Sequence, residues 1–197
     1  MQIEQHINEY KTLINKGLDT IDPKQLEEIV DIIVRACQVG ANIFVAGNGG
    51  SSAISEHFTC DHMKSVYHDT KLFPRFINLT SNVSLITAIG NDIGYDSIFS
   101  EQLSYLGKEN DVLIVISSSG NSPNIVKAIE TANKKGIITV ALTGFKGGKA
   151  KELTKYGIHI PADNYGISED CHQIIMHMLA QFIRKEYSPV DPNTLVL

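Results

Sequence analysis

Four times in this chain a short, β-rich apolar run ends in a polar or glycine turn and gives way to a helix-like segment. The runs are NIFVA before GNGGSS, RFINL before TSN, DVLIVIS before SSGNS, and GIITVALT before GFKGG. A fifth, YGIHI, precedes a closing helix that begins near Gly166. Strands that alternate with helices are parallel strands joined by right-handed crossovers, with helices on both faces of the sheet. Ahead of them, Leu26, Ile29, Val30, Ile33 and Val34 recur at helical spacing behind the start signal Asp22-Pro23, so two helices open the chain. The expected fold is α/β, a three-layer αβα sandwich on a parallel sheet.

With 197 residues there is enough chain for one sizeable core. Residues 1–197 are read as a single domain, a helical pair over 1–40 and a sandwich over 41–197. Apolar residues at 43 % against 20 % charged exclude long disorder. The net charge of −5, with scattered basic residues, excludes the footprint that nucleic acid or an anionic membrane demands. Any attraction for an anion must then come from the backbone. Cys37, Cys60 and Cys171 form an odd set without CxxC spacing, which points to buried free thiols in a reducing compartment. The opening MQIEQHINEYKTLINK lacks the apolar centre of a signal peptide, and no stretch is apolar enough to span a membrane. A cytoplasmic location is expected.

The segment DVLIVISSSGNSPNIVKAIETA is the most informative. A strand runs into Ser117, Ser118, Ser119, Gly120, Asn121 and Ser122, and Pro123 then opens a helix where its missing N–H does no harm. Such a turn gathers hydroxyls and unpaired N–H groups at the positive end of a helix dipole, which is how a phosphate is held without a lysine. The plainer reading is a helix cap, but four serines around one glycine exceed what a cap requires. The second turn, Gly47-Asn48-Gly49-Gly50-Ser51-Ser52, matches neither GxGxxG nor the Walker spacing. Its weight comes from placement: both turns follow strands of one parallel sheet and so lie on one edge, where they can share a ligand.

The next helix carries His57 and Asp61, four apart and on one face, a spacing that suits an acid/base pair, two metal ligands or a solvated ion pair. His62 points elsewhere. The closing helix offers Glu169, His172 and His177 beside an apolar stripe of Ile174, Ile175, Met178, Leu179, Phe182 and Ile183. Eight residues separate Glu169 from His177, about two turns, so both can edge one cavity. Asn91 and Asp92, in AIGNDIGYDSIF, stand at a turn between two helical patterns.

Together, GNGGSS followed by His57-Phe58, AIGND at 88 to 92, SSSGNSPN at 117 to 124 and SEDCHQIIMH ending at His177 resemble the sugar-isomerase (SIS) family, more closely its phosphoheptose isomerases. The resemblance covers nearly the whole chain. It implies a five-stranded parallel flavodoxin-like sheet and a homotetramer with active sites between subunits. It also implies aldose–ketose isomerisation of sedoheptulose 7-phosphate to an aldoheptose 7-phosphate for bacterial surface polysaccharide. By this likeness Asn48, Gly49, Gly50, Ser51 and Ser52 hold the sugar and Ser117, Ser118, Ser119 and Ser122 the phosphate. Asn91, Asp92 and Glu169 also contact substrate, and Asp61 and His177 are catalytic. Zinc is the implied cofactor, held by His57, Asp61, Glu169 and His177. The family usually has Glu where this chain has Asp61, and Gln where it has Glu169. A non-catalytic SIS module of the replication-initiator-associating type shares the fold and loops, and other sugar phosphates fit the same loops, so these stand as alternatives.

Overall fold

The computed structural model describes residues 2–190. Two helices, α1 (Ile3–Leu18) and α2 (Pro23–Val39), lead into β1 (Ile43–Gly47) and α3 (Gly50–Asp61). A π-helical segment (His62–Val66) and the short α4 (Tyr67–Asp69) connect α3 to β2 (Phe76–Asn78). Then come α5 (Val83–Asp92), a 3-10 turn (Tyr95–Ser97), α6 (Ser100–Leu106), β3 (Val112–Ser117) and α7 (Pro123–Lys134). The chain closes with β4 (Ile138–Thr143), α8 (Gly148–Leu153), β5 (Tyr156–His159) and α9 (Tyr165–Tyr187).

All five strands are parallel, in the order β2-β1-β3-β4-β5, the flavodoxin-like arrangement. Each expected strand forms within a residue or two of its apolar run. Alternation along the strands splits the core in two. Ile43, Val45, Val112, Ile114, Val140 and Ile158 face α2, α3 and α9, whereas Phe44, Ala46, Leu113, Val115 and Ala141 face the layer of α5 to α8.

α2 starts as its sequence dictates. The Asp22 side chain accepts from the Lys24 N–H at 3.0 Å, Pro23 occupies the first turn, and Gly40 ends the helix at φ 67°. Three expectations change. Asn91 and Asp92 are the last residues of α5 and not a turn; the chain reverses at Gly94, whose φ of 132° only glycine adopts readily. The buried row of α9 is Ile167, Cys171, Ile175, Leu179 and Ile183, while Phe182 is exposed and Ile174 and Met178 are half-buried. The expected stripe joined two adjacent helical faces, of which the core takes one. Cys37 and Cys171 are buried but Cys60 is exposed. Among the described residues no helix is long and apolar enough to cross a membrane.

Candidate active site

β1 sits between β2 and β3, so the crossovers diverge there and open a crevice at the carboxyl ends of β1 and β3. The two glycine/serine turns face each other across it. The residues preceding α3 and α7 make no side-chain cap bond, but Pro123 has no N–H and the Ile125 N–H is taken by Asn124 Oδ1 at 2.9 Å, so the amides left for an anion are those of Gly50, Ser51 and Asn124.

The two turns are fastened by an amide pair. Asn48 Nδ2 donates to Asn124 Oδ1 at 2.8 Å, and Asn124 Nδ2 donates to Asn48 Oδ1 at 2.9 Å. The Tyr95 hydroxyl adds a third bond, to Asn48 Oδ1 at 3.3 Å. Asn48, expected on the sugar, therefore spends most of its amide on holding the loops together. Asn124 and Tyr95 were not anticipated, because no spacing in the sequence links them to Asn48. Through Tyr95 the end of α5 is tied to the crevice; Asn91 and Asp92 are exposed there and bonded to each other at 2.7 Å.

The serines divide by task. Ser117 Oγ accepts from the Gly120 N–H at 3.2 Å and closes the turn from within. The Ser118 hydroxyl is buried with no hydrogen-bond partner among the described residues, and Ser119 and Ser122 are half-buried at the surface of the turn. In the other turn Gly49 and Gly50 are exposed, Ser52 is half-buried and Ser51 is buried.

The loop after β4 braces the serine turn: Gly144 N–H donates to Ser118 O at 2.9 Å and Lys149 N–H to Asn121 Oδ1 at 3.1 Å. Gly120, at φ 64°, packs so closely that a Cβ there would overlap the Gly147 carbonyl oxygen. Gly120→Ala is accordingly expected to cost at least about 2 kcal/mol, from a strained φ and a backbone collision, read as a lowered urea midpoint. A midpoint equal to that of the unaltered protein would contradict this packing.

Beyond the turns, α3 and α9 lie side by side in the same direction and meet at three levels. At the first, the Glu169 carboxylate lies against Gly50 so tightly that a Cβ at residue 50 would collide with it. Burial, and secondly the charge of Asp170, raise the pKa of Glu169. At the second, the Gln173 amide reaches His57 Nδ1 at 2.9 Å. At the third, Asp61 meets His177, Oδ2 to Nε2, at 3.6 Å. Asp61 Oδ1 also lies 3.4 Å from His57 Nε2, and the two imidazoles pack edge to face with centroids 4.9 Å apart. One donor atom from each of His57, Asp61 and His177 falls within 4.8 Å of the others. A cavity of about 290 Å³ continues from Asp61 and His177 past Ser65 and Gln181 to Arg184. A larger concavity, about 470 Å³, lies between α2 and β5 and contains none of these groups.

The SIS-domain family matches residues 5–144 of this chain. A phosphoheptose isomerase of Aneurinibacillus thermoaerophilus is 39 % identical over 160 residues, 81 % of this chain and 80 % of its own. One from Sulfurimonas denitrificans is 37 % identical over 185 residues, covering 94 % and 90 %. The solved phosphoheptose isomerase of Francisella tularensis superposes with a TM-score of 0.83 at 32 % identity, over 94 % of this chain and 100 % of its own. The chain belongs to the phosphoheptose isomerase family.

Asp61 of this SIS domain lies 3.4 Å from one imidazole and 3.6 Å from the other. Its helix turns π-helical immediately afterwards, at His62–Val66, a local widening that recurs at functional sites. His57, Asp61 and His177 fit a divalent cation. Each offers an imidazole nitrogen or a carboxylate oxygen, the donor types that divalent zinc takes, and one such atom from each lies within 4.8 Å of the others. Glu169 does not join them, which corrects the expected four-ligand set. It stands two turns, roughly 12 Å of helix, before His177, and its carboxylate is held at the start of α3. Gln173, midway in the same i, i+4 row, occupies the intervening level. That spacing was the one signal in the sequence that could have found it.

Proposed function

We propose that this protein is a phosphoheptose isomerase, interconverting sedoheptulose 7-phosphate and an aldoheptose 7-phosphate for surface-polysaccharide synthesis. The observation that carries the reading is the convergence of His57, Asp61 and His177 on a seam that begins at the glycine-rich turn of the crevice. A phosphate seated on the serine turn, with Ser119, Ser122 and the Asn124 N–H around it and the Ser118 hydroxyl buried beneath, fixes one end of the substrate. The sugar then runs past Gly49, Gly50, Ser51, Ser52 and Glu169 towards the triad.

Aldose–ketose isomerisation is redox-neutral overall. A base takes the proton from the carbon beside the carbonyl, an enediolate forms, and a proton is returned to the former carbonyl carbon while another moves between the two oxygens. Asp61 and His177 are the exchanging pair: Oδ2 and Nε2 stand 3.6 Å apart, so a proton passes between them by way of one bridging water. His57, on the opposite carboxylate oxygen, holds Asp61 in place. Zinc or a similar cation, held by His57, His177 and one oxygen of Asp61, would supply Lewis-acid stabilisation of the developing negative oxygen and would leave the other Asp61 oxygen to carry the proton. Tetrameric assembly in a reducing cytoplasm belongs to the same reading, and exposed Ile3, Ile7 and Leu13 on α1 support an association surface.

Incubation with a panel of heptulose, hexulose and pentulose phosphates, with zinc and with chelator, tests the proposal. Turnover of sedoheptulose 7-phosphate well above that of the shorter ketoses is expected, with loss in chelator. Phosphosugar binding without turnover would favour the non-catalytic SIS module, and preferred turnover of a shorter ketose would reassign the substrate. A light-scattering mass of one chain would remove the tetramer.

A further inference from the structure

The concavity between α2 and β5, about 470 Å³, has no part in the scheme above, yet its volume is ordinary for a small-molecule site. It lies at the open edge of the sheet: β5 has a neighbouring strand on one side only, and α8, which precedes it, is six residues long. The Ile160 N–H is bonded to the Thr143 carbonyl at 2.8 Å. Successive residues of a parallel strand direct their N–H groups to opposite sides, so the His159 N–H points to the open edge.

The lining sorts into donors and acceptors. Lys151, Lys155 and His159 supply the donors. Neither ammonium has an ion pair or a hydrogen bond among the described residues, and Lys155 only overhangs the Tyr156 ring, 5.1 Å from its centroid. His159 Nδ1 is engaged by the Thr143 hydroxyl at 3.1 Å, whereas Nε2 has no partner among the described residues. Burial, and secondly the Lys151 ammonium, hold the His159 pKa below its usual value. Lys151 and a protonated His159 thus repel each other, and an anion between them would relieve that repulsion.

Facing them from the start of α2 are the carboxylates of Asp22 and Glu28. The hydroxyls of Thr20 and Thr154 line the same space and have already given their protons, to Gly17 O at 2.6 Å and Ala150 O at 2.8 Å, so their oxygens can only accept. Among the described residues no ion pair crosses the concavity, although both signs of charge line it. Its two walls therefore stand apart, and an occupant that satisfies both carries an anionic group at one end and several proton donors at the other.

We propose that this concavity is a second ligand site, separate from the crevice, which takes a phosphate ester of a polyhydroxylated compound. The phosphoryl group lies against Lys151, Lys155 and the His159 N–H, and the hydroxyls lie against Asp22, Glu28, Thr20 and Thr154. A bare anion satisfies the first wall alone, and an uncharged polyol the second alone. No residue of the crevice or of the triad takes part, so the inference stands apart from the isomerase reading.

The test is a titration of assigned backbone amide resonances with fructose 6-phosphate and adenosine 5′-monophosphate, beside inorganic phosphate and fructose. At least one ester is expected to shift the amides of Thr20, Lys155 and His159 with a saturation curve distinct from that of Ser117 to Ser122. Its affinity there should exceed that of inorganic phosphate by about tenfold or more, and fructose should cause no shift. Lys151→Gln, at an exposed position, should weaken this site about 10–100-fold, the weight of a charged hydrogen bond, and leave affinity at the serine turn within about threefold. Glu28→Gln, equally exposed, should weaken the ester but not inorganic phosphate. Absence of these shifts with both esters at millimolar concentration overturns the site, as does unchanged affinity in Lys151→Gln. Equal affinity for inorganic phosphate and the better ester overturns the assigned ligand class.

Discussion

Asp61→Asn and His177→Gln are each expected to lower kcat for the heptulose phosphate by about 100- to 10,000-fold, the usual weight of a positioned acid or base. Binding of the same phosphosugar should change by less than about threefold, because the serine turn, α7 and the glycine turn are untouched by either change. Both substitutions keep size and polarity at half-exposed positions, so neither should unfold the protein. Single-turnover assays beside calorimetric binding separate the two effects. Normal isomerisation by both variants would strip Asp61 and His177 of their roles. The double variant should be little worse than either single one, since the two groups share one proton path.

A steep loss of stability on mild acidification is the second large effect expected, and it comes from two histidines outside the chemistry. His62 is wholly buried, its ring stacked 4.3 Å from Phe58 and 4.7 Å from Phe76, with Nε2 unpartnered among the described residues. His172 is equally buried, and neither of its ring nitrogens has a hydrogen-bond partner there. Desolvation pushes both down to about 4; this is opposed only in part, for His62 by its hydrogen bond to the Phe58 carbonyl and for His172 by the nearby Thr143 backbone, which lies outside hydrogen-bonding geometry.

An unfolded histidine takes up its proton below about 6.5. Between pH 6.5 and 4 the unfolded chain thus binds more protons than the native one, so the unfolding free energy increases with pH in that window. The stabilisation is complete above pH 6.5 and is lost as the pH falls towards 4, up to about 3 kcal/mol for each histidine. Urea midpoints at pH 7.5, 6 and 5 should decline accordingly. His172→Leu should flatten the decline by about half, because an apolar side chain of similar reach has no proton to gain. An acid limb identical in that variant would place the titration elsewhere.

Much of the fold was legible because buried parallel strands are written as contiguous apolar runs, and their turns as glycine and serine. The pairs His57–Asp61 and Glu169–His177 were legible for a related reason, since helical spacing alone puts them on common faces. Helical spacing says nothing, however, about which helix will stand opposite. That is why Glu169 was grouped with three ligands it does not meet, and why Gln173, which meets two of them, went unremarked. The serine turn shows the same limit: four hydroxyls look alike in a row, but one is consumed by the turn's own N–H and another is sealed beneath it.

By itself, then, the order of residues determined the elements, their parallel stacking and the chemical types gathered at one edge of the sheet, because these follow from local periodicity and from backbone chirality. Only the tertiary structure decided that Asn48 clamps Asn124 and that Gly50 admits the Glu169 carboxylate. It also decided that Asp61 stands between two imidazoles 4.9 Å apart, one from each of two helices. Those contacts join residues up to 119 positions apart. They depend on the angle and depth at which α9 packs on α3, which the buried row from Ile167 to Ile183 sets and no local pattern encodes.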